Sequence, residues 1–255
     1  MGAALVKVAH QAEDVKLVGA IDHPASNKIS NDIGEMAGLG TIGIPITRSI
    51  EELLGTFDTL IDFSTPEATA INAAICAERG LTLVVGTTGL VKKQLEAVRS
   101  AAQYTPICMA SNFSTGVNLC FKLASITAQV LGDEVDIEIS EAHHRDKVDS
   151  PSGTALALGA SVTNALNRNL DDVAIYRREG LIGERPKKAI GFSTIRAGDI
   201  VGDHTILFAG DGELVEITHR ASNRLAFARG AVRAAIWLNK KSAGLYDMQD
   251  VLGLN

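Results

Sequence analysis

The chain has 255 residues, 46% hydrophobic and 21% charged, with a formal net charge of -6. That is enough apolar material for a substantial core and enough length for two modest domains. The negative balance argues against general nucleic-acid binding, and the lack of a long apolar run or a secretory start argues against a membrane span or leader, so the cytoplasm is the default compartment.

In chain order, residues 3–12 read as a short helix and 16–21 as a strand ending on Asp22. A loop rich in Gly, Ser and Asn follows, then a helix near 49–54, the strand 59–63, and a helix with Thr65 and Pro66 at its start. The strand 81–85 runs into Gly86-Thr87-Thr88-Gly89, and a helix reaching Gln103 leads to the strand 106–110. Strands alternating with helices at this spacing predict an α/β doubly wound parallel sheet, whose ligands bind beyond the carboxyl ends of the strands.

After Ser111-Asn112-Phe113 the rhythm changes. A helix over 116–131 precedes DEVDIEIS, where Val135, Ile137 and Ile139 alternate with Asp136 and Glu138, as in a strand with one buried face. Its acidic residues, 136–141, read as a solvated face. A helix over 151–166 follows. IGFSTIR, DHTILFAG and ELVEITHRA then read as antiparallel strands separated by Gly and Asp turns. Residues 176–189, with Arg177, Arg178, Lys187 and Lys188, read as an exposed loop or subunit contact, and a helix over 224–238 as a return to the first domain. The expected organisation is a dinucleotide-binding domain from 1–114 and 224–255 around a smaller α+β domain, 115–223. Cys76, Cys108 and Cys120 show no CxxC spacing, which disfavours disulfides and a thiolate metal site.

The densest chemistry is EAHHRDKVDSPSGT, from Glu141 to Thr154. His143 and His144 fall at a strand's end. Ser150 is placed to cap a helix beginning at Pro151, which would turn the amides of Ser152, Gly153 and Thr154 back toward the histidines as an anion cradle. Histidine carries a proton near neutral pH, so the design is an acid-base group facing an anion site. A metal site from His143, His144, Asp146 and Asp149 is disfavoured, because adjacent strand residues point to opposite faces. A purely structural histidine pair is the plain alternative.

A dinucleotide fold normally opens with a strand, a glycine-rich turn and a helix, followed by an acid about twenty residues on. Here the helix and Asp22 are present without the strand or most of the turn. The expectation is a natural chain that starts further upstream; one starting at Met1 is expected to bind dinucleotide weakly.

EAHHRDKVDSPSGTA, together with DFSTPEA, VVGTTG, ASNFSTGVN and RAGDIVGDHT, closely resembles the bacterial dihydrodipicolinate reductase family, and the match runs from Met1 to the GLYDMQDVL tail. The resemblance implies a nicotinamide domain built from both chain ends, a central substrate and tetramerisation domain, and a homotetramer. The implied reaction is reduction of a cyclic dicarboxylic imine by NADH or NADPH, in lysine and diaminopimelate biosynthesis. It implies His143 as the acid-base residue and Lys147 as a second proton donor that also holds the substrate. His144, Gly153 and Thr154 fall where the family binds substrate. Gly86, Thr87 and Thr88 match the turn meeting the nicotinamide ribose, and Ala110, Ser111, Asn112 and Phe113 the hinge segment beside the nicotinamide. Asp22 and His23 fall where the adenosine ribose is contacted, and Met1 is what remains, with Gly2, of the family's GxxGRMG turn. A carboxylate at Asp22 suits the free ribose hydroxyls of NAD; His23 stands where a cation would favour NADP, so NAD with NADP tolerated is the expectation. Two rivals remain: a truncated, catalytically weak homologue that only assembles through its central domain, and a dehydrogenase of another small dicarboxylate.

Overall fold

The computed structural model describes residues 1–255 as two compact units, Met1–Thr115 with Arg224–Asn255, and Gly116–Asn223. The first unit opens with α1 (Gly2–Gln11), β1 (Ala20–Ile21), α2 (Ile33–Ala37), β2 (Ile46–Thr47) and one 3-10 turn, Ile50–Leu53, where a helix over 49–54 was expected. Next come β3 (Thr59–Asp62), α3 (Pro66–Arg79), β4 (Thr82–Val85), α4 (Lys92–Ala101) and β5 (Pro106–Met109). The start of α3 is written locally: the Thr65 hydroxyl accepts the Ala68 amide and Pro66 is the first helical residue. Gly80 ends it in the left-handed region, at φ 66°.

Strands β3, β4 and β5 pair in parallel, with Leu60 opposite Leu83 and Leu83 opposite Ile107. Leu83, Val84, Val85, Ile107 and Cys108 are fully buried, the near-continuous apolar pattern of strands covered on both faces. The expected strand 16–21 shrinks to Ala20 and Ile21, because only these two meet a partner, Ile46 and Thr47 of β2. That parallel pair is a separate two-stranded sheet. Between them, Asp32 accepts the amides of Gly34, Glu35, Ile42, Gly43 and Ile44, which fixes the glycine-rich loop after α2.

The second unit comprises α5 (Thr115–Leu131) from its second residue on, β6 (Asp136–His143), α6 (Gly153–Ala165), α7 (Leu170–Val173), β7 (Ala174–Ile175), β8 (Ile190–Arg196), β9 (Asp203–Gly210) and β10 (Glu213–Arg220). Its sheet has the order β10-β9-β6-β8-β7. The expectation of three antiparallel strands holds for β9 and β10 but fails for IGFSTIR: β8 runs parallel to β6 and β7. Alternation reports burial of one face, not direction; direction follows from the connection, and α6 intervenes between β6 and β8 as a crossover helix. One sheet face carries Ile137, Ile139, Ile190, Phe192, Ile206 and Phe208 against small residues of α5 and Ala155, Leu158 and Val162 of α6. Gly159 permits that approach, since a Cβ there would lie 2.8 Å from the Phe192 ring. Exposed Ile195 and Leu214 lie on the opposite face.

The chain then returns to the first unit with α8 (Leu225–Leu238), β11 (Gly244–Tyr246) and α9 (Met248–Leu252). β11 extends the parallel sheet beside β5, giving the order β11-β5-β4-β3. α8 packs through Ala228, Ala231, Ala234 and Leu238, and Gly230 lies so close to the Phe113 carbonyl that a Cβ would sit 1.7 Å from its oxygen. The strand and helix after 238 were not expected, although Asp247 and Asp250 form a capping box readable as a helix start. No helix is long and apolar enough to cross a membrane.

Candidate active site

In the first unit, β3, β4 and β5 are parallel and present their carboxyl ends along one edge. β4 runs there into Gly86-Thr87-Thr88. Gly86 rests on the Phe63 ring, where a Cβ would come within 2.2 Å, and its amide donates to the Asp62 carbonyl at 2.8 Å. The Asp62 carboxylate, 4% exposed, accepts from the Ser64 amide and hydroxyl, from Asn72 Nδ2 at 3.0 Å and from the Thr87 hydroxyl at 3.3 Å. Thr87 also accepts the Ser64 amide, so its buried side chain braces the turn from within while Thr88 stands exposed. Asp62 was missed from sequence; an acid closing the apolar strand TLID was the available signal.

Next to this turn across the β4–β5 pair, the Ala110 amide donates to the Val85 carbonyl, Ser111 is exposed, and Asn112 Oδ1 accepts the Ser114 amide at 2.8 Å. The Phe113 side chain is buried against Phe63, with centroids 5.6 Å apart, so it contributes packing. At the end of β1, Asp22 accepts the Ser26 hydroxyl at 2.7 Å and the His23 amide at 2.8 Å, and these bonds hold its carboxyl below the ordinary range. His23 is exposed, with Nδ1 accepting the Ala25 amide. Met1 precedes α1, whose first turn has no side-chain cap, and Gly2 has open space around it. These features fit a dinucleotide: uncapped helix amides, a side-chain-free turn at Gly86, and an ionised carboxylate after β1.

In the second unit, residues two apart on β6 share a face, so Ile137, Ile139, Glu141 and His143 point into the same side of the sheet. The expected solvated acidic face holds for exposed Asp136 but fails at the other two acids: Glu141 is 2% exposed, and Glu138, on the opposite face, is gripped by both Arg178 guanidinium nitrogens at 2.7 Å and by Arg185. Arg178 is thus a sheet-facing partner rather than merely an exposed loop residue. A glycine at 191 leaves room, since a Cβ there would overlap the Glu138 carboxylate.

Glu141 organises the site. Its Oε2 takes His143 Nδ1 at 2.6 Å and Arg196 Nη1 at 2.8 Å. Its Oε1 takes Arg196 Nη2 at 2.8 Å, the Ser152 amide at 3.0 Å and the Thr194 hydroxyl at 3.3 Å. Burial opposes ionisation of this carboxyl, but Arg196, His143 and the Ser152 amide overcome it and pull it down to about 2. Burial pushes the His143 pKa below its ordinary value, with Glu141 opposing. His204, on β9, meets His143 edge-on at 5.0 Å between centroids, and its Nε2 lies 2.8 Å from the Ser152 hydroxyl. Burial pushes His204 down to about 4.

The helix start differs from expectation. Ser152, not Ser150, caps α6 by accepting the Ala155 amide, and the helix begins at Gly153 rather than Pro151. Ser150 instead donates to the Thr194 hydroxyl. Of the three cradle amides, that of Ser152 is engaged by Glu141; Gly153 is exposed, with nothing within 4 Å of a Cβ position, and Thr154 is half-buried. Lys147 Nζ donates to Asp149 at 2.6 Å, and the Asp149 carbonyl accepts Arg196 Nη2 at 2.6 Å, so the turn after β6 is tied to the same guanidinium. His144 is half-buried, its carbonyl accepting the Lys147 amide. The second unit thus gathers His143, Lys147 and the α6 start around Glu141 and Arg196. Glu141, Arg196 and His204 were missed; the Glu141–His143 spacing of two on an alternating strand was the readable signal, whereas Arg196 enters only through its register opposite His143.

A parallel sheet with ligand-type loops at its strand ends and a mixed sheet bearing a carboxylate-held histidine are the parts expected of a nucleotide-dependent enzyme of the α/β class. The sequence comparisons carry the assignment further. Profiles described as dihydrodipicolinate reductase, N-terminus and C-terminus, match residues 1–113 and 116–252. A 4-hydroxy-tetrahydrodipicolinate reductase of Saccharophagus degradans is 54% identical over 254 residues, covering 100% of this chain and 95% of the relative. One from Alkalilimnicola ehrlichii is 55% identical with the same coverage. A dipicolinate-bound dihydrodipicolinate reductase from Paenisporosarcina sp. TG-14 shares the fold, with a TM-score of 0.74 at 23% identity over 98% of this chain and 94% of that one. The chain belongs to the dihydrodipicolinate reductase family.

Proposed function

We propose that this chain is a 4-hydroxy-tetrahydrodipicolinate reductase, reducing a cyclic dicarboxylic imine with NADH or NADPH in lysine and diaminopimelate biosynthesis. The observation that carries the reading is His143 at the end of β6, anchored through Nδ1 by buried Glu141 beside the α6 start, in a chain 54% identical to such a reductase over its whole length.

The first unit holds the dinucleotide, through Asp22 and His23 at the adenosine ribose, Gly86, Thr88 and the Thr87 backbone at the other ribose, the 110–113 segment with Phe113 as its buried anchor, and the α1 start at Met1. When bound, the nicotinamide supplies the hydride. The second unit holds the ring. One ring carboxylate meets Gly153 and Thr154 at the positive end of α6, and the other meets Lys147 and His144. Lys147 leaves Asp149 to do so. His143, its Nδ1–H held by Glu141, takes a proton from solvent on Nε2 and, as the imidazolium, gives that proton to quench the reduced ring, returning to the neutral Nδ1–H form. Its lowered pKa favours release of that proton.

NAD is the preferred cofactor, with NADP tolerated, because an ionised Asp22 repels a 2′-phosphate and no arginine adjoins it. The chain acts as a homotetramer in the cytoplasm; exposed Ile195 and Leu214 on the sheet face opposite the helices support assembly there. Cofactor oxidation with freshly generated ring substrate, run against other small keto and imino dicarboxylates, tests the reading. Turnover of the ring with both cofactors, NADH at the higher kcat/KM, is expected; turnover only of another dicarboxylate would replace it.

A further inference from the structure

An ionised carboxylate only accepts hydrogen bonds. Five donor positions surround Glu141: two Arg196 nitrogens, the Ser152 amide, the Thr194 hydroxyl and His143 Nδ1. The ring nitrogen facing that carboxylate at 2.6 Å must therefore carry the hydrogen, which makes Nε2 the atom that exchanges its proton. Nε2 faces Gly202, where a Cβ would lie only 3.0 Å away, so the absence of a side chain leaves that nitrogen approachable. The bidentate Arg196 fork fixes the carboxylate plane, and Thr194 and the Ser152 amide further hold Oε1.

We propose that Glu141 is a positioning residue of the reductase: it selects the Nδ1–H form of His143, aims Nε2 at the ring, and, through the Ser152 amide, keeps that histidine in register with the carboxylate-binding start of α6, with Arg196 clamping it in place. This rests on the reductase reading above. The charged or titratable groups facing His143 are Glu141 on its own strand, Arg196 from β8, His204 from β9 and Lys147 from the following turn. Only Glu141 favours the imidazolium; Arg196 and Lys147 oppose it.

Glu141→Gln is the test. Loss of the acceptor charge is expected to lower kcat about 100-fold or more with KM within about threefold, because the imidazolium that gives up the Nε2 proton loses its counter-charge, and the ring is no longer held with Nδ1–H toward its partner and Nε2 free to take up a proton and pass it on. The upper pH limit of kcat should also move down by about one unit or more, since the charge that favoured the imidazolium is gone. Glu141→Asp should recover part of kcat. A merely structural role would change Tm and leave the kcat–pH profile of the folded fraction in place, which would overturn the proposal. Imidazole 15N–1H correlation spectra of the wild-type protein, with His143 assigned by His143→Gln, give a readout that needs neither activity nor a stable variant. The proposal requires the neutral ring to be protonated at Nδ1; an Nε2–H form or a tautomer mixture overturns it. Wild-type protein inert toward the ring substrate would overturn the reductase reading instead, with the spectra still deciding the tautomer.

Discussion

His204 makes the stability of the second unit depend on acidity in a window that the structure defines. The side chain is 6% exposed, its Nδ1 has no hydrogen-bond partner, and burial holds its pKa at about 4 against an ordinary 6.5. The folded state therefore resists a proton that the unfolded chain accepts, so the stabilisation is complete above the unfolded value and is lost as pH falls from 6.5 through 4. Two and a half units at about 1.4 kcal/mol each give a full loss of roughly 3 kcal/mol, and about 2 kcal/mol of it has gone by about pH 5. Glu141, held at about 2, acts in the same direction but mostly at lower pH, between its ordinary 4.5 and that value. Urea unfolding of the wild type and of His204→Gln, which can keep a bond to Ser152 but does not titrate, isolates the contribution. The wild type should lose about 2 kcal/mol more than the variant between about pH 7.5 and pH 5. Parallel losses in the two proteins would show that His204 is not held neutral by burial.

Gly230→Ala forces a methyl group to within 1.7 Å of the Phe113 carbonyl oxygen, and backbone cannot yield as a flexible side chain would. A loss of about 2 kcal/mol or more is expected, read as a fall in Tm, and an unchanged Tm would refute the packing of α8 described here. Lys147→Met keeps the stem and removes the ammonium. KM for the ring substrate should rise about tenfold or more while stability barely changes, because the partner Asp149 is 54% exposed and such pairs contribute little. An unchanged KM would remove Lys147 from substrate binding.

Much of the fold was legible because its signals are local. Thr65-Pro66 and Gly80 bracket α3, and the apolar run before Gly86 marks a strand buried on both faces. Pairing was not legible. Residues 16–21 carry strand-like composition, but only two of them find a ladder partner, and the direction of β8 depends on a crossover that alternation does not encode. At the site, the histidine and lysine announced themselves by residue type in one short segment. Arg196 did not, because it reaches Glu141 from a strand some fifty residues on, and its role exists only through the register that sets it opposite His143. Two serines stood near the start of α6, and sequence alone favoured Ser150. The competing demand was Glu141, which takes the Ser152 amide and so fixes where the helix begins. Asp136 to Glu141 shows the limit of reading charge as exposure: a carboxylate enters a core when an arginine fork and a histidine are there to meet it.

Steady-state NADH oxidation by His143→Ala with the ring substrate, beside the wild type, tests the role of this imidazole most directly. A fall in kcat of about 100-fold or more is expected with KM within about threefold, since the imidazole acts on the proton and not on either carboxylate. A kcat equal to that of the wild type would contradict it.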